Sequence, residues 1–508
     1  MAYSTTLIST GLGHAWPDGT PVFDGLDLVL GCGRTGLIGL NGSGKSTLLR
    51  VLAGDLEPAS GSVTASGAIG YLPQRLPGGK VEDLLGIAGT RRALAAVEAG
   101  DVTDAHLAAI GTGWDLEARA RAHLDRLGLE RLEFDRPVTA MSGGEAVLTA
   151  LAGVLLGDPD ILLLDEPTNN LDRAARQCLY EVVEGWEGVL VAVSHDRELL
   201  GLVDQIAELR DGAITLYGGD FTAYEEIVAA GQETARRLVR HAEQDVRRQT
   251  RELTEARTKL DRRLRFGQKK FDTKREPKVI MNARRREAQV SAGKYRNLHT
   301  GRLEGAHDRL REAEEEIRAD ALIRVDLPET RVPAGKTVLE LAGLELRGPE
   351  RVALTGPNGS GKSTLLRRMV PAALVPVGFL PQRLDILDEE LSVLDNLRAV
   401  APLGRINALR ARLARFHFRG DRADRIVATL SGGERFRAVL ATLLSADPAP
   451  QLLLLDEPTN NLDLGSLRQL ESAINAFEGA LVVAGHDEPF LEAIGITRRI
   501  ELPPATAR

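Results

Sequence analysis

Apolar residues recur along this chain in two rhythms. Around Leu37–Ile38, Ile161–Leu164, Val352–Leu354 and Leu452–Leu455 they form short continuous runs bounded by polar loops. Such runs suit strands buried on both faces of a parallel sheet, where each side of the strand must be apolar. Between about Gly219 and Pro328 the rhythm changes to seven. Val239, Val246, Leu253 and Leu260 follow one another at that interval, as do Leu303, Leu310 and Ile317, with Ala306 and Ala313 at the alternate positions. Heptads predict coiled-coil seams. Two helices with a break near Phe266 to Pro277 predict an antiparallel hairpin, each arm of roughly 40 residues reaching about 60 Å.

The strand-like runs belong to an internal repeat. "GLNGSGKSTLLR" from Gly39 matches "GPNGSGKSTLLR" from Gly356, and "YLPQRL" from Tyr71 matches "FLPQRL" from Phe379. "MSGGE" from Met141 matches "LSGGE" from Leu430, "LDEPTNNLD" occurs at Leu164 and again at Leu455, and "VAVSHD" from Val191 matches "VVAGHD" from Val482. The order is the same in both halves, so two related domains flank the heptad segment. The expected boundaries are 1–218, 219–328 and 329–508. The halves differ mainly between the glutamine and SGGE, where the first spans 68 residues and the second 49.

Each half has G-x-x-x-x-G-K-S-T after a strand-like run and before a helix-like run, the context a phosphate-binding loop requires. Glycine lets backbone N–H groups close around phosphate oxygens at a helix N-terminus, where the dipole favours anions. The candidates are Gly39, Asn41, Gly42, Ser43, Gly44, Lys45, Ser46 and Thr47, with Gly356, Asn358, Gly359, Ser360, Gly361, Lys362, Ser363 and Thr364 in the second half. Lys45 and Lys362 would reach the β and γ phosphates, and Ser46 and Ser363 would ligate Mg²⁺. Asp165 and Asp456 end apolar runs, at the carboxyl edge where open α/β sheets bind ligands. They would hold Mg²⁺ through water, and Glu166 and Glu457 would polarise the attacking water. His195 and His486 each follow a second apolar run, 30 residues after the aspartate in both halves. Either could contact the γ-phosphate.

With these motifs the chain resembles the ATP-binding cassette superfamily, and within it the ABC-F family of soluble twin-cassette proteins. The resemblance covers nearly all of the chain. It implies an α/β fold: two P-loop cassettes joined by a helical hairpin linker, with ATP and Mg²⁺ bound and ATP hydrolysed. It also implies that SGGE caps the nucleotide of the opposite cassette, so that two ATP molecules are sandwiched head to tail. One site would join Lys45, Ser46, Gln74, Asp165, Glu166 and His195 to Ser431, Gly432, Gly433 and Asp463. The other would join Lys362, Ser363, Gln382, Asp456, Glu457 and His486 to Ser142, Gly143, Gly144 and Asp172. Gln74 and Gln382 would complete the Mg²⁺ shells. Trp16 lies where cassettes place an aromatic that stacks on adenine, and no aromatic lies between Val332 and Leu346 in the second half. After SGGE the second signature has Arg435 and Arg437, whereas the first has Ala146 and Leu148. The site using Ser142 is therefore expected to hydrolyse more slowly or mainly to hold ATP.

Charge separates the segments. The chain has net charge −8, yet Arg262 to Arg302 holds 14 Lys+Arg against 3 Asp+Glu. A basic tip between arms of mixed charge, with Phe266, Phe271 and Tyr295 for stacking, is an electrostatic footprint for RNA. The resemblance implies that this linker reaches the ribosomal tRNA sites and the peptidyl-transferase region. The expected activity is a ribosome-associated ATPase, of the ribosome-protection type that confers antibiotic resistance or of a translation-regulating type, monomeric with intramolecular cassette pairing. The alternative is the ATPase subunit of a membrane importer with fused cassettes, which predicts a short, unremarkable linker. A DNA-repair ATPase would need longer coiled coils or a zinc site that two cysteines, Cys32 and Cys178, cannot supply. The absence of a signal-like start or an apolar run of about 18 residues points to a cytoplasmic, membrane-free setting.

Overall fold

The computed structural model describes residues 5–16, 19–169, 171–272, 297–313, 325, 327–341, 343–383, 385–460 and 462–503. The first cassette contains strands β1 (Leu7–Ala15), β2 (Pro21–Leu30), β3 (Gly33–Ile38), β4 (Ser60–Ala65), β5 (Ile69–Leu72), β6 (Ile161–Asp165), β7 (Val189–Val193), β8 (Gln205–Arg210) and β9 (Ala213–Gly218). The second contains β10 (Thr337–Leu341), β11 (Leu344–Arg347), β12 (Arg351–Thr355), β13 (Val377–Leu380), β14 (Leu452–Asp456), β15 (Ala480–Ala484) and β16 (Arg498–Glu501). The main sheets run β5-β6-β7-β3-β8-β9 and β13-β14-β15-β12-β16. All neighbours in them are parallel except the antiparallel β8–β9 pair.

The apolar runs become the central strands, as their composition requires. Every residue of β6, β7, β14 and β15 is buried. Alternation along β6 divides its side chains between two cores. Ile161 and Leu163 pack with Leu48, Leu49 and Leu52 of the helix Lys45–Ala53. Leu162 and Leu164 pack with Leu148 and Leu151 of the helix Gly143–Leu156 and with Leu179 of the helix Arg173–Glu184. Burying such a side chain stabilises by about 1.5–3 kcal/mol. These contacts fix the phosphate-loop helix on one face of the sheet and the signature helix on the other.

Register then aligns the chemistry. Asp165 pairs with Val193 across β6 and β7, and Leu37 pairs with Val193 across β3 and β7. The carboxyl ends of β3, β6 and β7 therefore lie side by side, followed by the glycine-rich loop, Glu166 and His195. In the second cassette Asp456 and Leu354 both pair with Ala484, giving the same edge.

The described residues divide into two compact units, Met1–Tyr224 with Leu322–Arg508, and Glu225–Ala321. Both cassettes thus belong to one unit. The helix Phe221–Asp272, which from Glu225 onward belongs to the other unit, runs for 52 residues, about 78 Å at 1.5 Å per residue. It is longer than the heptads alone predict. It passes through Gly267, because one glycine costs a helix only about 1 kcal/mol, so it is unbroken over Phe266–Asp272, the first part of the window expected to hold the break; the rest of that window lies outside the described residues. A second helical stretch covers residues 297–313. Leu253 and Ala306 are buried, and Arg309 Nη2 donates to Asp245 Oδ2 at 2.7 Å between the two helices. Phe266 is exposed. Ile317, Pro277, Tyr295 and most of the basic tip, including Arg284–Arg286, lie outside the described residues, as do the side chains of Leu260 and Phe271.

Candidate functional site

The phosphate loops close onto their own lysines. Lys45 Nζ donates to the Gly39 and Leu40 carbonyls at 2.9 and 3.0 Å. Lys362 Nζ donates to the Gly356 carbonyl at 2.7 Å and lies 2.9 Å from His486 Nε2. Gly44 and Gly361 precede the helices at φ 98° and 91°, a conformation that glycine adopts without the Cβ penalty. Ser46 Oγ donates to Asp165 Oδ1, and Ser363 Oγ to Asp456 Oδ1, both at 2.9 Å. The aspartates are buried. Burial holds both carboxyls above the ordinary range, against the pull of the serine hydroxyls. Among the described residues no group of three or more His, Cys, Asp or Glu side chains could hold a metal alone. Each Ser–Asp pair fits Mg²⁺, which takes few protein oxygens and completes its octahedron with water and phosphate.

Glu166 and Glu457 carry left-handed backbone, at φ 49° and 46°. Their N–H groups donate to the Val193 and Ala484 carbonyls, both at 2.9 Å, so the neighbouring strand enforces the conformation. Such strain persists where surrounding structure over-determines it, and it clusters at active sites. His195 Nε2 lies 3.1 Å from Glu166 Oε1, yet neither ring nitrogen of this buried histidine has a hydrogen-bond partner. The buried hydroxyls of Ser43 and Ser360, at matched positions in the two loops, also lack partners. Orphaned polar atoms of this kind are what a phosphate would satisfy. Burial holds both glutamates above the ordinary carboxylate range, with Lys45 and Lys362 pulling the other way. Burial also pushes His195 down, and His486 down to about 4, so both rings are neutral near pH 7.

The signature serines are N-caps. Ser142 Oγ accepts from Glu145 N at 3.2 Å while Glu145 Oε2 accepts from Ser142 N at 2.7 Å. Ser431 and Glu434 repeat this reciprocal capping box at 3.3 and 3.1 Å. Ser and Glu of SGGE therefore hold a helix N-terminus open toward whatever faces it. Asp172 and Asp463 cap the next helices, accepting from Ala175 N at 3.0 Å and Ser466 N at 2.7 Å.

The cassettes meet head to tail. Asp463 Oδ2 accepts from Asn41 N at 3.0 Å, and Gly432 lies close enough that an added Cβ would stand 3.7 Å from Asn41 Cβ. On the other side a cleft of about 590 Å³ is lined by Ser142 and Gly143 of the first cassette. The second cassette contributes Asn358, Gly359, Ser360, Gly361, Lys362, Ser363, Thr364, Gln382, Glu457 and His486. Gly144 instead packs toward Leu171 and Ala175 behind the loop. Gln74 is exposed. Trp16 is 45% exposed, with its ring edge-on to His14, open to a flat ligand.

Several residues here escape a motif reading. Tyr71 interacts with Asp165, and Phe379 occupies the matching place without a hydroxyl. Arg136 and Arg425 buttress the signature glutamates at 3.2 and 2.8 Å. Arg176 lies in the seam between the cassettes, 3.3 Å from Asp196. The repeat held a signal for the arginines, since Arg136 and Arg425 each stand six residues before the signature serine.

A model described as ABC transporter matches residues 24–169 and 369–460. Among the described residues no helix is long and apolar enough to cross a membrane. The chain is 33% identical to the tylosin resistance ATP-binding protein TlrC of Streptomyces fradiae, over 89% of both chains. It is 32% identical to the energy-dependent translational throttle protein EttA of Mycobacterium tuberculosis, over 90% of this chain and 84% of that protein. Among solved structures, archaeal ribosome recycling factor aABCE1, in complex with the stalk protein aP1, superposes with a TM-score of 0.56 at 19% identity. That match covers 98% of this chain and 90% of the other and supports the fold. The paired cassettes, the head-to-tail loops and similarity over nearly the whole length agree: this chain is an ATPase belonging to the ABC-F family of twin-cassette proteins.

Proposed function

We propose that the chain is a ribosome-associated ATPase, of the kind that protects the ribosome against an antibiotic, in which ATP binding drives engagement and hydrolysis drives release. The observation that carries this reading is similarity over nine-tenths of the chain to both a tylosin resistance protein and a translational throttle protein. The long helical segment between the cassettes supports it, and the importer reading has no use for such an insert.

In each site the loop glycines and Lys45 or Lys362 would hold the phosphates, and Ser46 and Asp165, or Ser363 and Asp456, would hold Mg²⁺. Bound there, Mg²⁺ would neutralise phosphate charge. Glu166 and Glu457 position water and take its proton at a carboxylate oxygen. Their raised affinity for protons suits a base working near neutral pH. His195 and His486 stand beside these glutamates, where a ring N–H would meet the γ-phosphate. The N-termini of Gly143–Leu156 and Gly432–Leu444 cap the nucleotide of the opposite cassette, where the dipole favours an anion. Trp16 stacks on adenine in the first site.

The test is sedimentation. With Glu166→Gln and Glu457→Gln combined, the protein should pellet with ribosomes in ATP and remain in the supernatant without nucleotide. A protein that stays soluble in both conditions, or that pellets with membranes, overturns the proposal.

A further inference from the structure

The seam between the cassettes has a charge polarity that the internal repeat does not explain. The helices Arg173–Glu184 and Leu464–Asn475 follow the two LDEPTNNLD motifs, and each faces the segment after the histidine of the other cassette. On one side Arg197 Nη1, two residues after His195, donates to Glu471 Oε1 at 2.7 Å, with both side chains less than a fifth exposed. On the other side Arg176 shares a seam cavity with Asp487, the residue after His486. Arg173 Nη1 adds a longer, solvent-exposed contact, 3.7 Å from Glu488 Oε1.

In each of these pairings the cation comes from the first cassette and the carboxylate from the second. Matched on the repeated motifs, Arg176 corresponds to Leu467, Arg197 to Glu488, and Glu471 to Tyr180. A symmetric pair of cassettes would make the same contact twice. This pair makes two different contacts with one polarity. Arg176 is well placed to serve the second cassette as well as its own. Asp196 already accepts from Tyr180 Oη at 2.8 Å and from Glu198 N and Leu199 N at 2.9 and 3.2 Å. Arg176 Nη1 lies 3.3 Å from the same carboxylate, and its buried Nε has no hydrogen-bond partner. Two aspartates, one after each site histidine, thus line one seam cavity with a single guanidinium, which lies 3.3 Å from Asp196. Side chains less than a fifth exposed are screened less than in bulk water, so such charges interact more strongly, and removing one partner leaves a largely buried charge uncompensated.

We propose that Arg176 and Arg197 are positioning residues of the ATPase. They form a one-sided arginine clamp with which the first cassette holds the second cassette's histidine loop and post-motif helix when the two close on nucleotide. The clamp rests on the composite-site reading above. Because it acts on closure, it governs how much ATP is needed to assemble the sites more than the rate once they are assembled.

Full-length Arg197→Glu, Glu471→Arg and the double exchange test it, with ATP hydrolysis measured against ATP concentration. Each single reversal should raise the half-saturating ATP concentration about tenfold, with a smaller change in kcat, and the exchange should restore it to within about twofold. Arg176→Leu copies the residue of the other cassette. It should raise the half-saturating concentration and also lower the nucleotide-free thermal midpoint, because Asp196 loses its counter-charge; the exchange at Arg197 and Glu471 is the variant that separates the clamp from stability. Unchanged half-saturation in the single variants, or folded single variants that the exchange does not rescue, overturns the clamp. Gly433→Asp in the signature loop separates the two readings. If it hydrolyses ATP like the parent protein, the composite sites fail. If it is impaired while Arg197→Glu is normal, the clamp alone fails.

Discussion

At the scale of single residues, the two glutamates show how backbone and burial make a base. Holding a non-glycine residue in left-handed conformation costs about 1–3 kcal/mol, and both copies bear that cost at φ near 50°. Replacing Glu166 and Glu457 together by glutamine keeps the shape and removes the proton acceptor. Turnover should fall at least about 100-fold, while binding of labelled ATP stays near the parent value. A double variant with parental turnover would remove both from the mechanism. Protonation of the seam gives a second expectation. His486 is pushed from 6.5 down to about 4 by burial, with Lys362 and Arg176 adding to the effect. Its contribution to stability is complete above pH 6.5 and is lost as pH falls through about 4. Asp487 is pushed from 3.8 up to about 6 by burial, with Asp196 adding to it and Arg176 and Arg197 opposing it. Its contribution is complete below pH 3.8 and is lost as pH rises through about 6. The two offset each other between pH 4 and 6. Asp487→Asn preserves the helix cap and removes one of them. Its thermal midpoint should therefore climb with pH across that window more steeply than the parent's; parallel curves would refute this account.

At the scale of elements, the two signature helices share a cap and differ in the residues of the first turn beyond it. Ala146 and Leu148 are buried in the core of the first cassette, whereas Arg435 of the second helix pairs with Glu389. The first signature thus lacks the cationic side chains that the second presents beside its N-terminus. Hydrolysis should be unequal. Glu166→Gln alone disables the site completed by Ser431 and should lose more steady-state activity than Glu457→Gln alone. Equal losses from the two single variants would show that the difference between the helices does not reach the chemistry. The histidines point the same way: Lys362 lies against His486, while both ring nitrogens of His195 are without hydrogen-bond partners.

At the scale of the molecule, net charge differs sharply between the chain as a whole, at −8, and the basic segment Arg262–Arg302, and the proposed function would give that segment the partner and the cassettes the nucleotide. If the tip binds RNA phosphate, charge reversal at Arg284, Arg285 and Arg286 should lower ribosome association and flatten its dependence on salt, by about one unit of log–log slope per lost contact. ATP turnover of the isolated protein should change little. The combined readout is sedimentation of the glutamine double variant over a salt series. Unchanged sedimentation would return these arginines to the role of a solvated helix face.

Features with a local signal were legible in the sequence. Continuous apolar runs such as Ile161–Leu164 admit little besides a central strand, and the heptads through Leu253 and Ala306 admit little besides a helix seam. The GKST loops owe their conformation to glycines a few residues apart, so the loop residues and Asp165 and Asp456 could be named from spacing alone. Features that join groups far apart in the chain needed the folded molecule. The left-handed glutamates arise from N–H donors caught by a neighbouring strand. The unpartnered Ser43 and His195 arise from burial. The Asn41–Asp463 contact joins residues 422 positions apart. The clamp was the least legible of all: Arg176, Arg197 and Glu471 belong to no motif, and an arginine on a helix is usually solvated. Packing two near-copies face to face removed that solvent, and desolvation turned ordinary charges into a polarity that composition cannot encode.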